Sequence, residues 1–367
     1  MSDLFIGLIS GTSLDGVDAV LVALDGDAVR LRASHSLPYP EDLLRSVRRA
    51  ADPNERLSAD GFGALDARLG EHFALATETL LERTGIAPLD VKAIGSHGQT
   101  IAHDASLGYS VQLGDPNRIA ERTGITTVAD FRRRDIAAGG HGAPLMCAFH
   151  DAVFRQADRE VAVLNLGGIA NLTLLPADAK APVTGFDTGP ANCLLDNWTR
   201  RNQERAYDED GAWAATGSTD PALLRKMLDD PYFLLPPPKS TGTQHFGGQW
   251  LDGMLAGTKL EATDVAATLV MLTVESVAQA LERAGFRPEV LVCCGGGARN
   301  GLLLERLRER LEGTRMATSG DHGLAPEWVE AAGFAWLARE TLAGRPGNLP
   351  SVTGAAGPRV LGAVYPG

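Results

Sequence analysis

Three short glycine-containing segments of this chain combine residue types that can hold a phosphate group. The first, Gly11 to Asp18 (GTSLDGVD), carries glycines, hydroxyls and carboxylates. The second contains Gly167 and Gly168, and the third is the triplet Gly295 to Gly297. Glycine loops can point backbone N–H groups at an anion, and Asp can hold Mg²⁺ directly or through water. Each loop alone is more often an ordinary turn, but three of them at predicted strand ends favour a nucleotide site.

Asp187 is the residue best suited to proton transfer. It lies in the segment FDTGPAN, after a short apolar stretch and before Gly-Pro, which predicts a rigid turn. A carboxylate held in this way suits a general base, because a base must stay within hydrogen-bond reach of its proton. An Asx-turn or a helix N-cap explains the same spacing, and spacing alone favours that alternative.

A second group of polar residues suits the binding of a polar ligand. Asp130 precedes the densest basic run of the chain, Arg132 to Arg134, and arginine can grip a carboxylate with two hydrogen bonds. His97, in the segment SHGQT after the predicted strand Val91–Gly95, can either polarise a sugar hydroxyl or bond only to its own backbone. Glu330 is either a site residue or an exposed helix position. For the arginine run, a solvated loop with surface salt bridges is the default alternative.

Short apolar runs separated by glycine turns are expected to position these residues. Leu4–Ile9 and Ala19–Leu24 predict two strands joined by a tight loop. The same pattern restarts near residue 158, with predicted strands Val161–Leu166 and Leu172–Leu175 around a Gly-Gly turn. The repetition predicts two similar lobes with a cleft between them.

Helical patterns alternate with these strands. Residues 58–84 place apolar side chains at helical spacing, and Thr263–Gly285 predicts a long buried helix with Thr263 as N-cap. Val290–Cys294 predicts a buried strand, and a last helix runs from Pro326 to about Leu342. The alternation predicts an α/β protein. Residues 229–248, rich in Pro and Gly, are predicted to form a long surface loop.

The charge, the cysteine spacing and the apolar runs of the chain disfavour several classes of protein. The chain has 46 acidic and 34 basic residues, a net charge of −12, which disfavours nonspecific binding to nucleic acid or anionic membranes. Its four cysteines show no zinc spacing and predict no disulfide framework. The start of the chain does not resemble a signal peptide, and no apolar run approaches the length of about 20 residues that spans a bilayer. A cytoplasmic location is expected.

Nine segments in order along residues 6–366 resemble the 1,6-anhydro-N-acetylmuramic acid kinase family. They are GTSLDGVD, SHGQT, ADFRRRDIAAGGHGAPL, NLGGIAN, GFDTGPAN, DEDGAWAATG, PKSTG, CCGGGARN and VTGAAGPRVLGAVYP. The resemblance implies an actin/hexokinase/Hsp70-type fold, with ATP bound in the cleft between two α/β lobes. It also implies a kinase of peptidoglycan recycling that opens the 1,6-anhydro ring with water and phosphorylates O6, yielding N-acetylmuramic acid 6-phosphate and ADP.

The resemblance also implies roles for individual residues. Asp187 becomes the base that activates water. The implied ATP-binding residues are Gly11, Thr12, Ser13, Leu14, Asp15, Gly16, Val17, Asp18, Gly167, Gly168, Gly295, Gly296 and Gly297. The implied sugar-binding candidates are His97, Thr100, Asp130, Arg132 and Glu330. Asp15 and Asp18 are the candidate Mg²⁺ ligands, directly or through water.

The predicted organisation is a first lobe at residues 1–158, a second at 159–345, and an extended segment at 346–367 that packs on the first lobe. ATP, Mg²⁺, the anhydro-sugar and water are the expected ligands, and a homodimer is the expected assembly.

Two alternative functions remain. One is a different small-sugar kinase of the same fold, and the other is an Hsp70- or actin-like ATP-switched binding protein. A chaperone of that kind would need an appended peptide-binding domain, for which 367 residues leave no room.

Overall fold

A computed structural model describes residues 2–11, 14, 16–26, 28–52 and 54–367. The chain divides into two compact units. The first unit comprises Met1–Val153 and Trp328–Gly367, and the second comprises Phe154–Glu327. Because the first unit takes both ends of the chain, its sheet includes a strand from the C-terminal segment.

The strands are β1 Asp3–Ser10, β2 Gly16–Asp25, β3 Ala28–Pro38, β4 Val91–Asp104, β5 Tyr109–Leu113, β6 Thr127–Ala129, β7 Val161–Leu166, β8 Ile169–Leu175, β9 Thr184–Pro190, β10 Val290–Cys294, β11 Arg315–Thr318 and β12 Ala363–Tyr365. The helices are α1 Glu41–Ala51, α2 Ala59–Thr84, α3 Pro116–Thr123, α4 Arg133–Ala137, α5 Met146–Phe154, α6 Asn192–Gln203, α7 Pro221–Leu228, α8 Gly248–Leu255, α9 Ala262–Arg283, α10 Gly301–Arg310, α11 Val329–Leu342 and α12 Pro350–Thr353.

The sheet of the first unit has the order β12-β6-β4-β1-β2-β3, with β5 paired to β4. Strands β1, β2 and β3 are antiparallel neighbours, whereas β4 runs parallel to both β1 and β6. The inner residues of β1 and β2 are continuously buried, as expected for strands covered on both faces. Helix α2 packs on this sheet and confirms the helix predicted at residues 58–84.

The second unit repeats this arrangement. Its sheet has the order β9-β8-β7-β10-β11, in which β7, β8 and β9 are antiparallel neighbours and β10 is parallel to β7 and β11. Strands β7 to β11 therefore take the same places as β1, β2, β3, β4 and β6. The predicted α/β class is confirmed, and so is the restart of the pattern near residue 158.

Helix α11 belongs to the first unit, although the sequence analysis assigned residues up to 345 to the second lobe. It packs directly on β1 and β4. A Cβ on Gly7 would overlap the Ala331 carbonyl oxygen, and a Cβ on Gly95 would overlap that of Phe334. Glycine at these two strand positions lets the helix backbone approach the sheet closely. That fit, which sequence order does not reveal, decides where the helix packs.

The C-terminal segment also lies in the first unit. Strand β12 pairs antiparallel with β6 and forms an edge of the sheet. Before it, the His141 N–H donates to the Thr353 carbonyl at 2.8 Å, and the Ala356 N–H donates to the Ala138 carbonyl at 2.8 Å. The segment therefore closes over the loop that follows α4.

Three local predictions are wrong. The strand predicted at Val91–Gly95 continues to Asp104, so the SHGQT segment lies inside β4. Asp187 lies inside β9 instead of on a turn, because residues 184–190 pair with β8. Residues 229–248 are not simply a surface loop, since Tyr232, Phe233 and Phe246 are buried in the core of the second unit.

Helix α9 is the buried helix that the sequence predicted, with corrected ends. Its N-cap is Glu261 instead of Thr263, and Gly285 follows its C-terminus with a φ of 62°. Its length and hydropathy would allow it to cross a membrane, which the sequence analysis had not predicted for any segment. However, 78% of its most apolar window is buried inside the protein, as in the core helix of a soluble fold.

Candidate active site

Asp187 in β9 is held by a segment that runs from Tyr232 to Thr241. Its carboxylate Oδ2 accepts a hydrogen bond from the Thr241 N–H at 2.9 Å. The Asp187 N–H donates to the Lys239 carbonyl at 3.2 Å, and the Asp187 carbonyl accepts from the Tyr232 hydroxyl at 2.7 Å. These contacts fix both the backbone and the carboxylate of Asp187, as a group that receives a proton at a set position requires.

The surroundings of Asp187 also tune its acidity. Burial raises the pKa of Asp187 from 3.8 to about 6, whereas the Thr241 N–H and the Lys239 ammonium act in the opposite direction. A carboxylate with this pKa is mostly ionised at neutral pH and is a stronger base than an exposed aspartate. The site therefore holds a carboxylate that can accept a proton near physiological pH.

Lys239 is the charged neighbour of Asp187 in this environment. Its Nζ lies 4.5 Å from the ring centroid of Tyr232 and donates to the Tyr232 carbonyl at 3.3 Å. Burial lowers the pKa of Lys239, nearby Arg283 lowers it further, and Asp187 raises it. The sequence analysis assigned no role to Tyr232, Lys239 or Thr241. The feature that could have pointed to these residues is the polar PKSTG segment inside a Pro-rich stretch. The sequence analysis used that segment only as part of the family resemblance.

A cavity of about 460 Å³ opens in the second unit. It lies where β10 ends, and where α6 and α10 begin, at Asn192 and Asn300. Its lining is Asn192, Leu195, Asp196, Thr199, Tyr207, Asp208, Glu209, Asp210, Ala214, Ala266, Gly296, Gly297, Arg299 and Asn300. The volume of the cavity, its lining of polar and apolar residues and its position at the end of a strand are typical of a small-molecule pocket.

The three glycines that follow β10 have different surroundings. A Cβ on Gly296 would meet no atom within 4 Å, and Gly296 lines the cavity. By contrast, a Cβ on Gly295 would overlap the Asn165 side chain, and one on Gly297 would lie 2.8 Å from the Leu166 Cβ. Gly295 also has a φ of 79°, which favours glycine. Gly296 therefore keeps the cavity open, whereas Gly295 and Gly297 allow close packing on β7.

The turn at Gly167 and Gly168 is tied to the start of α6. The Gly167 carbonyl accepts from the Asn192 N–H at 3.1 Å and from the Asn192 side-chain amide at 2.9 Å. The Gly168 carbonyl accepts from the N–H groups of Ala191 and Cys193. Both carbonyls are therefore occupied by contacts to the start of α6.

The predicted phosphate loop of the first unit lies only partly within the described structure. Thr12, Ser13 and Asp15 lie outside the described residues. The Leu14 N–H donates to the Gly11 carbonyl at 3.3 Å, which closes a turn between β1 and β2.

The end of this predicted loop is part of β2. A Cβ on Gly16 would overlap the Leu37 carbonyl oxygen of β3, so close strand approach requires this glycine. The Val17 side chain is fully buried in the core of the first unit, so a contact of Val17 with ATP would have to come from its backbone. Asp18 accepts a hydrogen bond from the Ser36 hydroxyl.

His97 and Arg132 form the best-defined polar contact of the predicted sugar-binding set. His97 Nδ1 lies 3.0 Å from the Gly98 carbonyl, and Nε2 accepts from Arg132 Nε at 3.0 Å. The ring therefore carries its proton on Nδ1 and is neutral. Burial lowers the pKa of His97 well below 6.5, and Arg132 lowers it further. His97 also packs on Phe334 of α11, with ring centroids 4.6 Å apart.

Arg132 remains a cation within this contact. Burial lowers its pKa to about 10, and Glu330 opposes that effect. Its Nη1 donates to the Gly142 carbonyl at 2.8 Å. Burial also raises the pKa of Glu330, with Arg132 lowering it and Asp18 raising it, although the Glu330 side chain keeps contact with solvent. The structure thus brings His97, Arg132 and Glu330 into one electrostatic cluster.

The other two sugar-binding candidates lie on neighbouring elements of the first unit. Asp130 has a φ of 62°, an uncommon conformation outside glycine, and forms an ion pair with Arg133 at 2.6 Å. The Thr100 hydroxyl accepts from the Gln112 side chain at 3.1 Å across β4 and β5. Both side chains already have partners, so sugar binding by either would compete with these contacts.

Asp135, which the sequence analysis did not single out, supports this region. It is fully buried, and its carboxylate accepts from the Asn348 side chain at 2.6 Å, the Thr353 hydroxyl at 2.8 Å and the Gly142 N–H at 2.8 Å. The Gly142 carbonyl in turn accepts from Arg132. The C-terminal segment is therefore connected to the arginine through a chain of hydrogen bonds.

Among the described residues, no group of three or more His, Cys, Asp and Glu side chains could enclose a metal ion. Mg²⁺ commonly needs only one or two protein carboxylates, since waters and substrate phosphates complete its shell. Asp18, a carboxylate at the predicted phosphate loop, has suitable chemistry for such a partial site. Of the two candidate Mg²⁺ ligands, only Asp18 can be assessed in this way, because Asp15 lies outside the described part of the chain.

Comparisons with known proteins identify the family of this chain. The sequence model of the family described as "Anhydro-N-acetylmuramic acid kinase" matches residues 3–367. A protein of that name from Xanthomonas axonopodis pv. citri is 52% identical over 100% of this chain and 98% of its own length. The Pseudomonas putida protein of that name is 48% identical over 99% of both chains.

Solved structures give more distant likenesses. An activator of 2-hydroxyisocaproyl-CoA dehydratase from Clostridium difficile, with bound ADPNP, has a TM-score of 0.45 and 14% identity over 93% of this chain and 97% of its own. The evidence for membership is the sequence match over the whole chain, and the repeated sheet order agrees with the two-lobed actin/hexokinase/Hsp70-type class. The chain belongs to the anhydro-N-acetylmuramic acid kinase family.

Proposed function

We propose that this kinase uses Asp187 as the base that activates water, and that the cavity beside Gly296 receives the nucleoside of ATP. The reaction opens the 1,6-anhydro ring of 1,6-anhydro-N-acetylmuramic acid and phosphorylates O6, as part of peptidoglycan recycling. The observation that carries the proposal is the fixed, partly buried Asp187 carboxylate, whose pKa burial raises to about 6.

The chemistry explains why one base is sufficient. In the anhydro-sugar, O6 is an ether oxygen and has no proton to remove. The oxygen of water attacks C1, the C1–O6 bond breaks, and O6 takes the γ-phosphoryl group of ATP. The Asp187 carboxylate takes a proton from the water and later releases it to solvent. The products are N-acetylmuramic acid 6-phosphate, ADP and one proton.

The remaining tasks are positioning and stabilisation of charge, which dominate phosphoryl transfer. In the second unit, the Gly167–Gly168 turn and Gly296 are proposed nucleotide contacts, whereas Gly295 and Gly297 act through the packing that shapes the cavity. In the first unit, Gly11 to Asp18 is the proposed phosphate loop, with the Val17 side chain serving the core instead. Asp18 would hold Mg²⁺, which supplies charge neutralisation to the phosphates.

Thr100, Asp130, Arg132 and Glu330 are the proposed sugar contacts, whereas His97, both of whose ring nitrogens have protein partners, is proposed to act through Arg132. The substrate carries a lactyl carboxylate, and the partly buried Arg132 guanidinium is the cation with the chemistry to bind it. The neutral His97 presents an acceptor nitrogen to Arg132 and so orients the guanidinium without adding charge. A cytoplasmic enzyme that acts as a homodimer is part of the same proposal.

A coupled assay for ADP release tests the function directly. ADP should form from ATP only when 1,6-anhydro-N-acetylmuramic acid is added, and the sugar product should carry one phosphate on O6. Sugars with a free 6-hydroxyl, such as N-acetylglucosamine, separate this function from that of another sugar kinase. Turnover with such a sugar at a comparable rate would contradict the proposal, and so would ATP hydrolysis that needs no sugar.

A further inference from the structure

Thr241 has one polar atom that the contacts around Asp187 do not use. Its backbone N–H donates to Asp187 Oδ2 at 2.9 Å, whereas its side-chain Oγ1 is buried and has no hydrogen-bond partner among the described residues. Buried hydroxyls without a partner are uncommon in folded proteins, because such a group has lost water without a replacement. The Thr241 hydroxyl is therefore available to bind a water or ligand atom.

The position of this hydroxyl restricts what the ligand can be. Since the Thr241 N–H touches the Asp187 carboxylate, the short Thr241 side chain keeps Oγ1 beside the same carboxylate. Ser96 and Ser319 also have buried hydroxyls without partners, but no described contact joins either of them to Asp187. Thr241 is distinguished from them by its direct contact with the proposed base.

We propose that the Thr241 hydroxyl holds the water molecule that Asp187 deprotonates. This inference rests on the proposed function of Asp187. The water donates one hydrogen to the Asp187 carboxylate and its other hydrogen to Thr241 Oγ1, which leaves an oxygen lone pair directed away from both groups. As that lone pair forms the new bond to C1, the C1–O6 bond breaks, O6 receives the phosphoryl group and Asp187 takes the first proton.

A second contact to the water has a clear physical purpose. A water bound only to Asp187 can rotate about that hydrogen bond, so its lone pair samples many directions. Two contacts hold the attacking oxygen in one orientation, which lowers the entropic cost of reaching the transition state. Lys239 and Tyr232 contribute indirectly, because both fix the backbone around Asp187 and Thr241.

The test replaces Thr241 by Val, which has nearly the same shape, keeps the backbone N–H and lacks the hydroxyl. We expect kcat to fall about tenfold, the effect of one hydrogen bond that positions the reacting water. The KM for ATP and the acid limb of the pH profile of kcat should not change, because the contact to Asp187 Oδ2 remains. Thr241→Ser, which keeps a hydroxyl, should restore most of the rate.

Two further variants make the outcome decisive. Thr258→Val removes an exposed hydroxyl of the same unit that donates to the Leu255 carbonyl, and it should retain normal kcat. If Thr241→Val does not fold, Thr241→Ala provides the same loss of the hydroxyl. Normal kcat in a folded variant without the hydroxyl, or no rescue by Ser, would overturn the role of Thr241. Asp187→Asn distinguishes a failure of the role proposed for Thr241 from a failure of the role proposed for Asp187. Normal turnover in Asp187→Asn would overturn the function proposed for Asp187.

Discussion

The first unit holds its charged cluster mainly through side chains, whereas the second unit holds Asp187 mainly through the backbone of a neighbouring segment. Arg132 is fixed by the His97 ring and, through Gly142, by the buried Asp135. Asp187 is fixed by the N–H of Thr241 and the carbonyl of Lys239. The same sheet order therefore carries two different kinds of site.

The electrostatic consequences of the two arrangements also differ. Burial and a nearby cation keep His97 neutral, so the first unit presents a permanent charge on Arg132 over the physiological pH range. In the second unit, burial brings the pKa of Asp187 to about 6, so its charge changes close to that range. Under the proposed function, we therefore expect the first unit to bind the sugar and the second unit to transfer the proton. The variants below test that division.

Asp187→Asn should have the largest effect. The amide keeps the shape of the side chain and cannot accept a proton, so kcat should fall by about 10²–10⁴-fold. Binding of a nonhydrolysable ATP analogue should remain close to normal, because the cavity beside Gly296 is unchanged. Steady-state kinetics and calorimetric titration measure the two quantities. Loss of nucleotide binding in a folded variant would point to a role for Asp187 other than that of base.

Arg132→Lys tests the first unit in the same way. Lysine keeps the positive charge but cannot make the forked contacts of the guanidinium to His97 and Gly142. The KM for the anhydro-sugar should rise roughly tenfold, with the pKa of the acid limb unchanged. A fall in kcat with an unchanged KM for the sugar would contradict the division between the two units.

Replacement of single glycines tests the cavity of the second unit. Gly296→Val should raise the KM for ATP by about tenfold with little change in the melting temperature, because the new side chain projects into open space. Gly297→Ala is the matched control, since its Cβ would press on Leu166 and should lower the free energy of unfolding by about 1–3 kcal/mol. A normal KM for ATP in Gly296→Val together with a raised KM in Gly297→Ala would contradict the placement of Gly296 in the nucleotide site.

The smallest expected effect is the change in the free energy of unfolding caused by Asp187→Asn. The pKa of Asp187 is higher in the folded state than its usual 3.8, so ionisation costs stability as the pH rises from about 4 through 6. At pH 8, Asn should therefore increase the free energy of unfolding by roughly 1–3 kcal/mol, and near pH 4 this gain should disappear. Urea unfolding at the two pH values measures the difference. An equal effect at both would show that burial does not perturb this carboxyl group.

Local sequence patterns predicted part of this architecture. The apolar runs of β1, β2, β7 and β10 are continuous enough to identify buried strands, and α2 has a clear helical spacing. Strand β9 could not be predicted, because its residues TGFDTGP have low strand propensity and only pairing with β8 makes them a strand. The position of α11 depends on two glycines more than 200 residues earlier in the chain, so sequence order misassigned it.

The candidate site shows the same limit. The segment with Asp187 stood out from its residue types, and the three glycine segments did so together. The contribution of Tyr232, Lys239 and Thr241 was missed, because a Pro-rich stretch resembles a surface loop. Phe246, which is fully buried, anchors that stretch to the core and brings Lys239 and Thr241 to Asp187. Such a contact depends on tertiary packing, which local composition does not encode.

The pH dependence of kcat tests the central assignment most directly. If Asp187 is the base, kcat should fall on the acid side with an apparent pKa near 6, because burial raises the pKa of this carboxyl to that value. The limb should persist in His97→Asn, since His97 is already neutral at this pH, and it should disappear from the residual rate of Asp187→Asn. An acid limb that is lost with His97 and retained in Asp187→Asn would contradict the account.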